Sequence, residues 1–172
     1  ILVQTLTFIS PINAILQNNL CPIFMDVDNN FNIDQEKTID FINTNTVFKN
    51  GKTINKKTKK NISAIIIIHI FGVPSKFEKL YNLCKKRNID IIEDAAESMG
   101  SKYLTGKFKN KYVGTIGKFG CLSFNANKII TTAAGGVILT QNKNLAIKTL
   151  YMSTTAKNDP IKFIHNKSGY NL

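Results

Sequence analysis

The stretch Ser63 to Ile70, Ser-Ala-Ile-Ile-Ile-Ile-His-Ile, limits the possible folds more than any other part of this chain. It shows no alternation of apolar and polar residues, so it is apolar on both faces, as a central strand of a parallel sheet must be. Ser75 then opens a predicted helix whose Phe77, Leu80, Tyr81 and Cys84 fall at i, i+3, i+4 and i+7. Lys85, Lys86 and Arg87 in its last turn complement the helix dipole. Ile89 to Glu93 reads as the next strand. This β-α-β unit predicts a parallel, right-handed α/β sheet.

The flanking elements agree with an alternating α/β pattern. Ser10-Pro11 supplies a predicted N-cap and first helical residue for a helix continuing to Gln17. Pro22 to Asp26 is a short apolar strand. Asp34 is placed to cap a second helix, Gln35 to Ile42, with Glu36 at the positive end of its dipole. Between that helix and the central strand, Asn50-Gly51 lies among strand formers, the signal of a type I′ hairpin.

Charge enters through that hairpin. The 172 residues carry 23 Lys and Arg against 11 acids, a net charge of +12. Six lysines lie between Lys49 and Lys60 with no acid among them, which is half of that excess. Arg87 is the one arginine, and no aromatic residues alternate with the lysines to stack on bases. A lysine-rich hairpin facing water fits better than a nucleic-acid surface. Cys21, Cys84 and Cys121 stand far apart with no Cys-x-x-Cys pair, which fits free thiols in a reducing cytoplasm and excludes a disulfide framework. The longest uninterrupted apolar run, Ala64 to Ile68, is too short to span a bilayer. No signal peptide opens the chain, and its start in mid-run at Ile1 reads as a piece of a longer protein.

Several candidate motifs fail on spacing. Gly114-x-x-Gly117-x-x-Gly120 lacks the Gly-x-Gly of a dinucleotide turn, and Gly100 with Gly106-Lys107 does not match a P-loop. All are expected to be turn glycines. His69, inside the apolar strand, is expected to be a hydrogen-bonded core histidine. His69 and His165 form no hydrolase set, and metal chemistry has no support.

Two features carry chemistry together. Asp94 leaves the carboxyl end of a parallel strand, the edge where open α/β sheets bind ligands. Ser123-Phe124-Asn125-Ala126-Asn127-Lys128 ends another strand and presents one lysine among neutral residues. The set suits pyridoxal 5′-phosphate: an Asp to keep the pyridine nitrogen protonated, a Lys to form the Schiff base, a Ser to hold the phosphate.

In order along the chain stand Thr5-Leu6-Thr7-Phe8, Asn13-Ala14-Ile15, Pro22-Ile23-Phe24-Met25-Asp26-Val27-Asp28 and His69-Ile70-Phe71-Gly72. Glu93-Asp94-Ala95-Ala96-Glu97-Ser98, the Ser123–Lys128 segment and Gly169-Tyr170-Asn171 follow. This series resembles the DegT/StrS-type sugar aminotransferases, pyridoxal-phosphate enzymes of aspartate-aminotransferase fold, over essentially the whole chain. The resemblance implies a three-layer α/β/α large domain of fold type I with a mostly parallel sheet, here incomplete. Residues 1–172 would be part of that domain, with the phosphate-binding turn upstream and a smaller C-terminal domain beyond. Residues 46–60 would be a basic β-hairpin insert.

The resemblance also implies site roles. Lys128 would hold the cofactor and shuttle the proton, Asp94 would pair with the ring nitrogen, and Ser123 would contact the phosphate. Phe8 would stack on the ring, and Glu97 stands where many members carry Gln near the 3-hydroxyl. Asn171 would reach the phosphate of a partner subunit, implying a homodimer in the cytoplasm. Glutamate would be the amino donor and a UDP-linked 4-keto-6-deoxy sugar the acceptor, for legionaminic- or bacillosamine-type glycans, with neither nucleic acid nor membrane as partner. Family dehydratases carry His in place of the Schiff-base lysine, so Lys128 favours transamination over the dehydratase alternative. A basic nucleic-acid-binding α/β protein is the third reading. Two departures stand out: Gln4 where members usually carry Pro, and Ala133-Ala134 where they carry glycines, which suits positions needing neither positive φ nor close backbone approach.

Overall fold

The computed structural model describes residues 1–159 and 161–170. In chain order the elements are β1 (Leu2–Gln4), α1 (Ile9–Gln17), β2 (Ile23–Met25), α2 (Gln35–Asn45), β3 (Thr46–Lys49), β4 (Lys52–Asn55) and β5 (Ala64–Ile68). A 3₁₀ turn (Ile70–Gly72), α3 (Glu78–Lys86), β6 (Asp90–Asp94), β7 (Phe119–Ser123), β8 (Gly136–Leu139), α4 (Lys143–Ser153), β9 (Lys157–Asp159) and β10 (Ile164–His165) follow. Six strands form one sheet in the order β2-β1-β5-β6-β7-β8. Every neighbouring pair is parallel except β7 with β8.

β5 is buried along its whole length, as its unbroken apolar run predicts. Its side chains divide between two cores. Ile65 and Ile67 pack with Ile42 of α2 and with Phe77, Leu80 and Cys84 of α3 and its approach. Ile66 and Ile68 pack on the opposite face with Val3 and with Ile15 of α1. The three-layer arrangement expected of the chain follows directly, with α2 and α3 on one side and α1 on the other.

Asp34 caps α2 as expected, accepting the Lys37 N–H at 3.0 Å, and the helix runs three residues past Ile42. Two other helix starts correct the sequence reading. Ser10 is not an N-cap: α1 begins at Ile9 with Phe8 before it, and Pro11 lies third in the helix. A proline is tolerated there because first-turn N–H groups have no helical acceptor. Ser75 does not open α3, which starts at Glu78: its hydroxyl is buried without a partner and caps no helix N–H, while its own N–H is held by His69 Nδ1 at 3.0 Å.

The hairpin forms as its Asn-Gly pair requires. Asn50 and Gly51 both adopt the left-handed region, at φ 51° and 71°, and β3 pairs antiparallel with β4. Residues Lys56 to Lys60 lie beyond the strands in a turn, and all six lysines of the stretch are exposed. Thr53 Oγ1 donates to the Arg87 carbonyl at 2.6 Å, and Asn88 Nδ2 donates to the Gly51 carbonyl at 3.0 Å. The hairpin is therefore fastened near the amino ends of β5 and β6, away from their carboxyl ends.

At the second departure, Ala133 adopts φ 69° and Gly135 φ 100°, while a Cβ on Gly136 would meet the Leu122 carbonyl oxygen at 2.5 Å. Position 133 thus does need positive φ, and alanine sits there under strain. Ala133→Gly is expected to raise stability by about 0.5 kcal/mol, the strain relieved exceeding the added chain entropy. Ile67→Ala, which empties a fully buried position, is expected to cost about 3 kcal/mol. Urea unfolding of the two variants measures both effects.

Candidate active site

Segments leaving the carboxyl ends of four parallel strands converge. Phe8 follows β1, the turn His69–Gly72 follows β5, Asp94 through Ser98 ends and follows β6, and Ser123 through Lys128 ends and follows β7. Asp94 stands in register between Ile68 and Cys121. Strand alternation places it on the α1 side of the sheet with Ile68, and its neighbour Glu93 on the α3 side.

Asp94 Oδ1 accepts the Ala96 N–H at 3.1 Å. Burial pushes the Asp94 carboxyl above its usual range, and the Ala96 N–H hydrogen bond and the Lys128 charge offset only part of that rise. Its position alone makes it a destabilised anion that a buried cationic partner would relieve. The Lys128 side chain is 17% exposed, and its Nζ lies 3.4 Å from Glu97 Oε1. Glu97 Oε2 in turn accepts the Phe71 N–H at 3.1 Å. Phe71 adopts φ 52°, a conformation unfavourable for an aromatic residue, so the turn holds strain while presenting that N–H. Ser123 Oγ accepts the Asn125 N–H at 3.3 Å at the head of the loop that carries Lys128. Phe8 leaves its ring 76% exposed at the start of α1. Asp94, Glu97, Ser123 and Lys128 therefore gather at one edge, with Phe8 from the same edge of the sheet. Asn171 lies outside the described residues.

The residue that sequence reasoning missed is Glu93. Its carboxylate is fully buried, and it accepts the N–H groups of Gly114 at 3.0 Å and of Ile116 and Gly117 at 2.6 Å each. His69 Nε2 completes the set at 3.1 Å from Oε2. The signal was a charged residue at an inward strand position, Ile91-Ile92-Glu93, with spaced glycines some twenty residues later. His69 is the hydrogen-bonded core histidine expected. The three glycines are more than turn residues: Gly114 and Gly117 close on Glu93, and a Cβ on Gly120 would strike the Gly114 carbonyl oxygen at 1.9 Å.

These residues fit pyridoxal phosphate. The desolvated Asp94 carboxylate suits a protonated ring nitrogen, the sheltered Lys128 amine suits an aldehyde, and the open Phe8 ring suits a planar face. The Ser123 hydroxyl can donate to a phosphate. Among the described residues no cluster of His, Cys, Asp and Glu could hold a metal ion.

Burial alone would raise the Glu93 carboxyl, yet the hydrogen bond from His69 and the N–H groups of Gly117 and Gly114 outweigh it and hold the group below its usual value. Glu93 thus contributes stability that is complete above the unfolded value of 4.5 and is lost as pH falls through the lower folded value. Glu93→Gln is expected to lose roughly 3 kcal/mol at pH 7 and much of the acid sensitivity. Asp94, displaced upward, has the opposite sign, so Asp94→Asn is expected to raise the urea midpoint of the cofactor-free protein at pH 7. Urea titrations at pH 7 and at pH 4 test both.

Comparison with known proteins gives the same picture. The family described as DegT/DnrJ/EryC1/StrS aminotransferase family matches residues 1–172. GDP-perosamine synthase of Escherichia coli O157:H7 is 35% identical over 171 residues, covering 99% of this chain and 42% of that protein. UDP-4-amino-4,6-dideoxy-N-acetyl-beta-L-altrosamine transaminase of Helicobacter pylori is 30% identical over 145 residues, covering 84% of this chain and 33% of that protein. The solved structure of Helicobacter pylori PseC, an aminotransferase involved in the biosynthesis of pseudoaminic acid, superimposes with a TM-score of 0.79 at 26% identity. That match covers 99% of this chain and 41% of the solved one, so the chain spans well under half the length of the proteins it matches.

Proposed function

Since this chain belongs to the DegT/DnrJ/EryC1/StrS aminotransferase family, we propose that the whole protein transfers an amino group from glutamate to a nucleotide-linked 4-keto-6-deoxy sugar. The cofactor of such family aminotransferases is pyridoxal 5′-phosphate. The observation that carries the reading is the meeting of Asp94 with the Lys128–Glu97 pair at the carboxyl edge of the sheet.

When bound, the cofactor supplies an aldehyde for the amine to join and a ring that draws electrons from the reacting carbon. Lys128 would hold that aldehyde through Nζ, and its amine would carry a proton to and from the substrate carbon. Asp94 would accept a hydrogen bond from the ring N–H, and its buried charge would keep that nitrogen protonated. Phe8 offers a face for stacking, and Ser123 donates to the phosphate. Lys128 itself, a lysine where family dehydratases are expected to carry histidine, supports transamination over dehydration.

Relatives named for GDP-linked and for UDP-linked sugars both match. The finer choice, a UDP-linked sugar, rests on the earlier resemblance, and the hairpin at the opposite pole of the sheet adds no contact at this edge. A homodimer completes the reading: Phe8, Phe71 and Ile129 are large apolar side chains left more than 60% exposed on the segments that form the site. Asn171 would serve the partner's phosphate, and residues 1–172 would form part of the cofactor-binding domain. No helix among the described residues is long and apolar enough to cross a membrane.

The full-length protein with pyridoxal phosphate and glutamate is expected to convert a UDP- or GDP-linked 4-keto-6-deoxy sugar to its 4-amino product. Lys128→Ala should lose that product and the visible absorbance of the lysine-bound cofactor. Failure to aminate either sugar, or ammonia release without a keto acceptor, overturns the proposal.

A further inference from the structure

His69 is 1% exposed, and all of its polar groups are engaged. Its Nδ1 accepts the Ser75 N–H at 3.0 Å, which leaves the ring proton on Nε2, facing Glu93 Oε2 at 3.1 Å. Its backbone N–H donates to the Asp94 carbonyl at 3.1 Å, and its carbonyl accepts from Ser98 Oγ at 3.3 Å and from the Gly72 N–H at 3.2 Å. The ring stands between Phe77 and Tyr103, with centroids 6.3 and 6.5 Å away, so it cannot swing without disturbing the core. No packing requirement calls for two ring nitrogens there. Leucine or phenylalanine would fill an apolar position without needing partners.

The two nitrogens lead to different parts of the site. From Nε2 the path runs to Glu93, whose carboxylate gathers the loop of Gly114 to Gly117 and adjoins Asp94 along β6. From Nδ1 it runs to Ser75, which closes the chain beyond the turn Ile70–Gly72. That turn holds Phe71 in its left-handed conformation with its N–H on Glu97, and Glu97 meets Lys128. Gly72 is bound into the same corner: its carbonyl accepts from Ser101 Oγ at 2.8 Å, and a Cβ on it would meet the Glu97 carbonyl oxygen at 2.8 Å.

We propose that His69 is the positioning residue of the site, its Nε2–H setting the floor beneath Asp94 and its Nδ1 setting the strained turn that places Glu97 against Lys128. It touches neither cofactor nor substrate, and it acts through the residues that do. The consequence for the cofactor rests on the function proposed above; the consequence for the backbone does not.

Two substitutions separate the paths. In His69→Gln the side-chain amide places an N–H near the position of Nε2 and leaves Ser75 without an acceptor; in His69→Asn the amide oxygen takes the place of Nδ1 and Glu93 loses its donor. Hydrogen exchange is measured on the full-length, cofactor-free protein. His69→Gln should leave the amides of Gly114, Ile116 and Gly117 at wild-type protection while Phe71 exchanges roughly tenfold faster, and His69→Asn should show the reverse. In the cofactor-loaded protein, His69→Gln should slow formation of the Lys128-bound absorbance band, and His69→Asn should weaken cofactor affinity, each about tenfold. Each variant is read by itself. Equal loss of protection at both places, or no change at either, would reduce His69 to a core filler and overturn the assignment. Should wild-type protein form no Lys128-bound band while the exchange pattern holds, the function proposed above falls and the backbone assignment stands.

Discussion

A buried carboxylate with nowhere else to go organises this protein. Glu93 has left water entirely, and such a charge is tolerated only when donors surround it. Three backbone N–H groups and one imidazole do so, and they come from a strand end and from a loop some twenty residues away. The loop must wrap tightly to deliver them. That explains glycine at Gly114, which lies at φ 86° against Ala95, and at Gly117, where a Cβ would meet the Ile91 carbonyl oxygen at 2.7 Å. β7 starts directly after this wrapped loop, so the place from which Ser123 and Lys128 depart depends on a contact on the other face of the sheet.

Site and support therefore occupy opposite faces of one strand. Asp94 points to the α1 side and is kept in an environment that opposes its charge; Glu93 points to the α3 side and is given every partner a carboxylate can use. The fold spends stability at the first position and recovers it at the second, two adjacent residues of like charge treated in opposite ways. A helix start shifted by a few residues would leave this arrangement intact, whereas loss of the spaced glycines would not.

How much of this could be read in advance depended on whether the deciding contact was local. β5, the Asp34 cap and the Asn50-Gly51 turn are set by neighbours in sequence, and each forms where its residues predict. Ser10 and Ser75 are good caps by composition, yet the first is passed over by a helix beginning at Ile9 and the second has its N–H drawn to His69. The second outcome involves a partner distant in sequence. In the site, Asp94 and Lys128 were legible because acid and amine suit a particular cofactor chemistry. Phe8 and Glu97 came from resemblance alone. Glu93 went unread because its donors are backbone groups, which carry no residue signature, and the left-handed backbone at Ala133 contradicts what alanine suggests.

The hairpin has a practical meaning apart from charge. Its turn is closed by two residues that favour left-handed backbone, its base is fastened through Thr53 and Asn88, and its tip projects from the pole farthest from Asp94 and Lys128. Geometry there is maintained by the turn and the base, with no call on the lysine side chains between them. That makes the tip a natural attachment point: a dye, an affinity tag or a tether to a surface can be carried at Lys49 or Lys52 while the opposite edge of the sheet stays open.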